Sequence, residues 1–192
     1  MKRLNKHCAK RRENRRLVIE WRAAITPQSA RQFYAVLKRH LKQADELVLL
    51  VDSTGGSVEF AYGLARFILK LKGSTISYAI GQCSSAAVLL FSSARVRFAT
   101  SAAHFYVHSV SKTLEGEQTI KMLQKTISEL ERYTKLTTSF LARQTKREAS
   151  LWEKDMSRGR VISARGAQRL GLVQGFAEFK PQENDKRIII SS

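Results

Sequence analysis

The sequence is short of cysteine, proline and acidic residues. Its 192 residues include 2 Cys and 2 Pro, and 16 Asp and Glu stand against 34 Lys and Arg. Two cysteines do not make the disulfide framework of a small secreted domain, and no cysteine pair has zinc-ligand spacing. We therefore expect no metal, no cofactor and a reducing, cytoplasmic location.

Long apolar runs are also missing. No stretch approaches the roughly 18 consecutive apolar residues that a membrane-spanning helix needs. The basic start is not followed by the apolar core of a secretory signal. Hydrophobic residues still make up 43% of the chain, which is enough for one domain with a sizeable core.

The formal net charge of +18 is unusual for a chain of this length. Part of it lies in residues 1–16, which hold eight Lys and Arg against one acid. We predict a basic, disordered arm over 1–16, a folded domain over 17–180, and a tail over 181–192 that could form a short strand. The arm would either aid solubility or bind an acidic partner, anionic lipid or nucleic acid, since charge alone names no partner.

Apolar patterning predicts strands that alternate with helices. Residues 17–21 and 47–51 are continuous apolar runs typical of buried strands, and Thr26 and Pro27 open a helix with three- and four-residue apolar spacing. Further strands are predicted at 75–80, 96–99, 104–108, 176–179 and 188–190, and further helices at 57–72, 84–93, 116–145 and 163–170. This alternation predicts an α/β domain with largely parallel strand pairing.

Two of the predicted strands are followed by segments suited to chemistry. Residues 47–57 end in Gly55, Gly56 and Ser57, and residues 76–87 carry Ser85 before two alanines. A glycine turn can present backbone N–H groups to an anion, and a serine at a helix start lies in the positive end of the helix field. Together they suggest an oxyanion hole beside a nucleophile, and therefore acyl chemistry.

Four residues are the candidates for this site. Ser85 is the nucleophile, and His108, at the end of a later strand, is the base. The backbone N–H groups of Gly56 and Ala86 are the oxyanion donors. A single serine is more often a helix cap and a single histidine is more often structural, so the hypothesis depends on their joint occurrence with the glycine turn.

The segments resemble the proteolytic subunits of the Clp protease family, within the ClpP/crotonase superfamily. Residues 52–58 (DSTGGSV) resemble the family's NSPGGSV turn. Residues 81–87 (GQCSSAA) resemble its GQAASMG segment, which puts the family's nucleophile on Ser85.

Two later segments continue the resemblance. Residues 104–108 (HFYVH) resemble the family's RIMIH strand, which puts its base on His108. Residues 162–173 (ISARGAQRLGLV) resemble MSAEEAKEYGLI. The four motifs occur in one order with similar spacing between about residues 17 and 175.

The resemblance implies a ββα spiral fold with a protruding handle helix near residues 116–145, which joins two subunit rings. It implies a serine-type endopeptidase that hydrolyses polypeptides in a closed chamber, fed by an AAA+ unfoldase. The family's axial loops, which contact the unfoldase, have no counterpart here, and the chain is more basic than the family. Both departures argue against an unfoldase partner.

The family's third catalytic residue, an Asp, falls on Gly159. Glycine cannot orient or stabilise an imidazolium, and losing this carboxylate from a Ser–His–Asp triad lowers kcat about 10⁴-fold. Asp155 is the nearest acid and could take this role if the loop is rearranged; otherwise it is a surface residue.

Two alternatives stay open. The first is a catalytically weakened, structural or binding Clp-like subunit that assembles with an active paralogue or an acidic partner, suggested by Gly159 and the net charge. The second is a crotonase-type acyl-CoA enzyme, which shares the fold and the oxyanion turn. The strand-end histidine beside a Gly-Gln-x-x-Ser segment favours a nucleophile over this second alternative.

Overall fold

A computed structural model describes residues 15–191 of the chain. The strands of this part are β1 (Arg16–Trp21), β2 (Glu46–Ser53), β3 (Ser74–Ser84), β4 (Val96–Ala99), β5 (His104–Val107), β6 (Arg160–Ser163), β7 (Gly175–Phe176) and β8 (Lys186–Ile190). The helices are α1 (Pro27–His40), α2 (Val58–Leu69), α3 (Ala87–Ser92), α4 (Ile120–Thr145), α5 (Ala149–Ser157) and α6 (Ala164–Arg169), with a 3₁₀ turn at Leu41–Gln43. The predicted basic arm lies outside the described residues except for Arg15 and Arg16, and Arg16 already begins β1.

The strands form one sheet in the order β6-β5-β3-β2-β1-β8, with β4 beside β3 and β7 beside β4. Every pairing is parallel except that of β5 with β6. The predicted α/β class with largely parallel pairing is therefore confirmed. Helix α5 and strand β6 were missed by the sequence analysis.

Strand β3 runs to Ser84, four residues beyond its predicted end. Its first half pairs with β4 and its second half with β5, so it bends from one partner to the other. Gly81 lies between these two halves, where a Cβ would be 2.7 Å from an Asp52 carboxylate oxygen. The missing side chain lets β2 and β3 approach closely at this point.

The core lies between the sheet and the helices. All six residues of α3 are buried, so this helix lies at the centre of the domain. The apolar residues of β1 and β2 are buried on both faces of the sheet, and Val18, Val48 and Leu50 form a second small cluster with Tyr78 and Phe179. Burial on both faces explains the unbroken apolar runs in these strands.

Helix α4 is the predicted protruding helix. Its C-terminal part is held in the domain by buried residues that include Phe140 and Leu141. Its N-terminal part projects, with Ile120 77% and Ile127 55% exposed. Thr119 caps the helix by accepting a hydrogen bond from the Met122 N–H, which places the cap three residues after the predicted start.

Arg97 on β4 donates hydrogen bonds to backbone carbonyls near the C-terminal ends of three helices. Its side chain donates to the carbonyls of Ala94, Gln144, Gly171 and Leu172 at 2.7–3.2 Å. These carbonyls lie in or just after the last turns of α3, α4 and α6, where the helix dipole is negative. Burial lowers the pKa of the guanidinium, and no carboxylate of the described residues pairs with it.

Candidate active site

Ser85 lies in a strained turn between β3 and α3. Its φ of +53° is unusual for a residue with a side chain, and its N–H donates to the Tyr106 carbonyl at 2.7 Å. The helix cap is Ala86, which makes no side-chain capping bond, so Ser85 is not a capping serine. The turn follows the end of β3, which pairs with β5 there, and Ser85 is half-buried.

The glycine turn packs directly against this serine turn. Gly55 and Gly56 have φ values of +99° and +135°, which favour glycine. A Cβ on Gly55 would lie 2.9 Å from the Ala86 nitrogen, and one on Gly56 would lie 2.4 Å from the Ile25 carbonyl oxygen. Both glycines are thus required by close backbone approach as well as by conformation.

The two predicted oxyanion donors have no competing acceptor among residues 15–191. The Gly55 N–H donates to Ser53 Oγ at 3.1 Å, and the Ser57 N–H donates to the Ile25 carbonyl at 2.8 Å. Between them, the Gly56 N–H donates to no other described residue, and neither does the Ala86 N–H. A pair of unused backbone donors beside a serine is the arrangement that an oxyanion needs.

His108 follows the last residue of β5, as predicted. Its Nδ1 lies 2.8 Å from the Ser109 carbonyl oxygen, so the tautomer assigned from this contact carries the proton on Nδ1. Nε2 then keeps a lone pair, as a general base requires. No hydrogen bond joins Ser85 and His108 among the described residues; such contacts are often long before substrate binds.

Asp155, the predicted third member, pairs with two arginines. Its carboxylate accepts from Arg160 at 2.8 and 2.9 Å and pairs with Arg147 at 2.8 Å. The side chain is buried in this cluster, and no ion pair or hydrogen bond of the described residues joins it to His108. These contacts support a structural role for Asp155 between α5 and β6, and its predicted role in orienting His108 gains no support from them.

Gly159 lies where the family resemblance puts the acid, and Tyr106 lies over it. A Cβ on Gly159 would be 3.1 Å from the Tyr106 hydroxyl oxygen. The Tyr106 ring stacks on the His108 ring with centroids 5.0 Å apart and planes 24° apart. Tyr106 is not among the predicted site residues, although alternation along the strand places it on the same face as His108.

A cleft of about 330 Å³ borders the glycine turn. The loop after His108 and the handle helix form its other walls, and Lys112 of the loop pairs with Glu129 of the helix at 2.9 Å. The lining residues are Gly56, Ser57, Val58, Glu59, Val110, Ser111, Lys112, Glu129, Leu130 and Tyr133. The cleft thus runs past a candidate oxyanion donor.

Other nucleophile and ligand chemistry is poorly supported in the part of the chain that the structure describes. Burial raises the pKa of the Cys83 thiol far above its ordinary value, with a smaller contribution from Asp52, so it stays protonated. Residues 15–191 contain no group of three or more His, Cys, Asp and Glu side chains arranged to hold a metal ion.

Within the same range, no helix is long and apolar enough to cross a membrane.

The fold and the order of its motifs define a member of the ClpP/crotonase-like class, an α/β domain with a projecting helix. A solved structure of a ClpP1 point mutant from Listeria monocytogenes superposes with a TM-score of 0.75 and 18% identity, over 86% of this chain and 92% of that chain. The family model described as "Clp protease" matches residues 7–179. The chain belongs to the Clp protease family, which confirms the resemblance.

Curated relatives agree at low identity. The ATP-dependent Clp protease proteolytic subunit 2 of Borreliella burgdorferi is 25% identical over 138 residues, which are 71% of this chain and 69% of that protein. The proteolytic subunit 1 of Rhodococcus jostii is 23% identical over 70% of this chain and 62% of its own length. The chain therefore spans about two thirds of the length of these relatives and is a divergent member.

Proposed function

We propose that the protein is a serine-type endopeptidase of the Clp proteolytic-subunit kind. Ser85 is the nucleophile, His108 the base, and the N–H groups of Gly56 and Ala86 the oxyanion hole. The observation that carries this proposal is the pair of unused backbone donors beside a serine held in a strained turn. Family membership supports the reaction class.

The geometry supports a two-step mechanism. Ser85 Oγ attacks the carbonyl carbon of a peptide bond while His108 Nε2 accepts the hydroxyl proton. The carbonyl oxygen takes up negative charge between the Gly56 and Ala86 N–H groups. The imidazolium gives its proton to the leaving amine, and a water activated by His108 then hydrolyses the acyl-enzyme.

The alternative is a catalytically weakened subunit with a structural or binding role. Gly159 supplies no carboxylate, and Asp155 is paired with two arginines. These two observations favour weak turnover by the isolated chain, and assembly with an active paralogue would then supply activity.

The proposed substrate is an unfolded polypeptide, which enters the cleft beside Gly56 in extended form. We assign the exposed N-terminal part of α4 to self-association into rings. A cytoplasmic location stays a prediction, and an AAA+ unfoldase stays a possible partner that the missing axial loops make doubtful. A ligand for the basic arm also stays a prediction, because most of the arm lies outside the described residues.

A fluorophosphonate probe tests the proposal directly. We expect one adduct on Ser85 in the assembled wild type, no adduct in Ser85→Ala, and loss of casein hydrolysis in the same variant. Ser111→Ala is the matched control, because Ser111 lines the same cleft but is not the proposed nucleophile. An unlabelled Ser85 in folded, assembled protein would contradict the proposal, and a labelled site without casein hydrolysis would favour the weakened subunit.

A further inference from the structure

We infer that Tyr106 is a positioning residue for His108, which takes over the orienting part of the absent carboxylate together with the Ser109 carbonyl. The inference rests on the proposed function, since it concerns how His108 serves as the base. It assigns a role to a residue that makes no contact with the reacting atoms. The stacked ring and the main-chain contact to Nδ1 carry it.

The two contacts restrain the imidazole in complementary ways. The Ser109 carbonyl accepts from Nδ1 at 2.8 Å, which selects the tautomer with a free Nε2. The Tyr106 ring covers one face of the imidazole at a centroid distance of 5.0 Å, which limits its rotation and tilt. In a Ser–His–Asp triad, a single carboxylate does both: it selects the tautomer and it fixes the orientation of the ring.

The Tyr106 ring also favours the charged state that forms during the reaction. When His108 takes the Ser85 proton, the imidazolium lies over the electron-rich face of an aromatic ring, which is an attractive arrangement. This attraction is weaker than that of a buried carboxylate. Tyr106 therefore orients the His108 ring as an Asp carboxylate would. It supplies only part of the electrostatic stabilisation that the carboxylate would give to the imidazolium.

Gly159 and Tyr106 behave as a matched pair. The tyrosine hydroxyl oxygen lies 3.1 Å from the position of a Cβ at Gly159, so even a methyl group there is a tight contact, and a larger side chain would press on the ring. Strand pairing fixes this proximity, because Tyr106 lies opposite Val161, two residues after Gly159. A long side chain at residue 159 would therefore compete with the tyrosine ring for this space.

Variants at these two positions separate positioning from simple packing. Tyr106→Phe keeps the stacked ring, so we expect it to retain most of the activity. Tyr106→Met removes the ring while keeping an apolar side chain of similar length, and we expect kcat to fall about tenfold with KM changed less than about twofold. A change in KM with kcat unaltered would overturn the inference. An equal fall of kcat in Tyr106→Phe and Tyr106→Met would also overturn it.

The double variant tests the matched pair. Gly159→Asp alone forces a carboxylate against the tyrosine ring, so we expect kcat to fall. Tyr106→Met with Gly159→Asp makes room for that carboxylate beside His108, and Asp tolerates the positive φ of +63° better than most residues. We expect kcat at or above the wild-type value; losses that multiply from the two single variants would overturn the inference.

A spectroscopic readout keeps the inference separate from the peptidase proposal. Without the stacked ring, the imidazole can rotate away from the Ser109 carbonyl that selects its tautomer. The ¹⁵N shifts of the His108 ring in the full chain should therefore show the Nδ1-protonated tautomer in wild type and Tyr106→Phe, and an average of both tautomers in Tyr106→Met. An inactive protein with this pattern would contradict the proposed function and leave the positioning role standing. An active protein whose His108 shifts and kcat ignore the Tyr106→Met change would contradict the positioning role alone.

If Tyr106→Met fails to fold, Tyr106→Leu takes its place. Leucine also removes the stacked ring while keeping an apolar side chain, and we expect both the tautomer average and the lower kcat. Unchanged shifts and unchanged kcat in a folded Tyr106→Leu would then overturn the inference.

Discussion

Gly55 lies so close to Ser85 that a Cβ on the glycine would be 2.8 Å from the serine Cβ. The same Cβ would lie 2.5 Å from the Ser84 carbonyl oxygen and 2.9 Å from the Ala86 nitrogen. The nucleophile turn and the oxyanion turn are therefore in backbone contact. Their relative position depends on the absence of one methyl group.

Gly55→Ala should separate the two turns. We expect kcat to fall about 100-fold, because displacing an oxyanion donor has an effect of this size. We also expect a loss of about 2–4 kcal/mol in the free energy of unfolding, from overpacking and from the positive φ. Peptide hydrolysis and urea unfolding measure the two effects.

The control is Gly116→Ala, which has a positive φ of +69° but no heavy atom within 4 Å of the added Cβ. It should lose only about 1 kcal/mol of stability and keep full activity. If both variants lose the same activity, the close approach of the two turns is not what holds the site.

Arg97→Met should destabilise the fold more than any exposed substitution. The variant leaves four carbonyls at helix ends without their donor, so we expect about 3 kcal/mol or more to be lost. Arg95→Met is the control, because Arg95 also donates to backbone carbonyls but is exposed, and its loss should be below about 1 kcal/mol. Similar urea midpoints for the two variants would contradict the role of Arg97.

The order of strands and helices was predictable because buried elements have a regular pattern of apolar residues in the sequence. Strands β1 and β2 are covered on both faces and appear as apolar runs, and α1 has its capping threonine and proline in place. Strand β6 was missed because it lies at the sheet edge, with Val161 65% exposed. An edge strand with one buried apolar residue carries little of the pattern that predicts strands.

The site was predictable to the extent that backbone conformation demands particular residues. Two glycines with positive φ and the small residues around Ser85 are required by the close turns, and these stand out in the sequence. The environment of His108 was not predictable, because it depends on side-chain contacts between residues that are distant in the sequence. The same holds for the ion pairs of Asp155. Asp155 was considered from its distance along the chain, whereas Arg147 and Arg160 determine where it points.

Asp185 should make the fold sensitive to acid. Burial on its own would raise its pKa, but hydrogen bonds from Arg16 and from the Gln182 N–H, with the charges of Arg16 and Arg187, lower it in net. The stabilisation is therefore present above the ordinary carboxyl pKa of about 4, and is lost as pH falls through the lower folded value. The side chains of Arg16 and Asp185 are only 11% and 2% exposed, so the pair is well shielded.

We expect Asp185→Asn to lose about 3 kcal/mol at pH 7, because it leaves a shielded guanidinium without its partner. The difference from wild type should begin to shrink below about pH 4, where the unfolded chain binds the proton, and should disappear once the pH is below the lowered pKa of Asp185 in the folded state. Glu129→Gln breaks a more exposed pair and should change the unfolding free energy little. A difference that stays constant from about pH 7 to about pH 3 would show that the ion pair is not its source.

Ile127→Glu should weaken self-association without unfolding the chain. Ile127 is 55% exposed on the projecting part of α4, so a charge there is hydrated in the monomer and buried only if another subunit covers it. We expect the sedimentation coefficient at a fixed protein concentration to fall toward the monomer value, while the melting temperature of the isolated chain stays within a few degrees. Ser128→Glu places the same charge on the next, exposed position, about 100° around the helix, and should leave the assembly intact. Equal assembly by wild type and both variants would exclude this face of the handle as the contact between rings, because a buried unpaired carboxylate could not be accommodated there without loss of affinity.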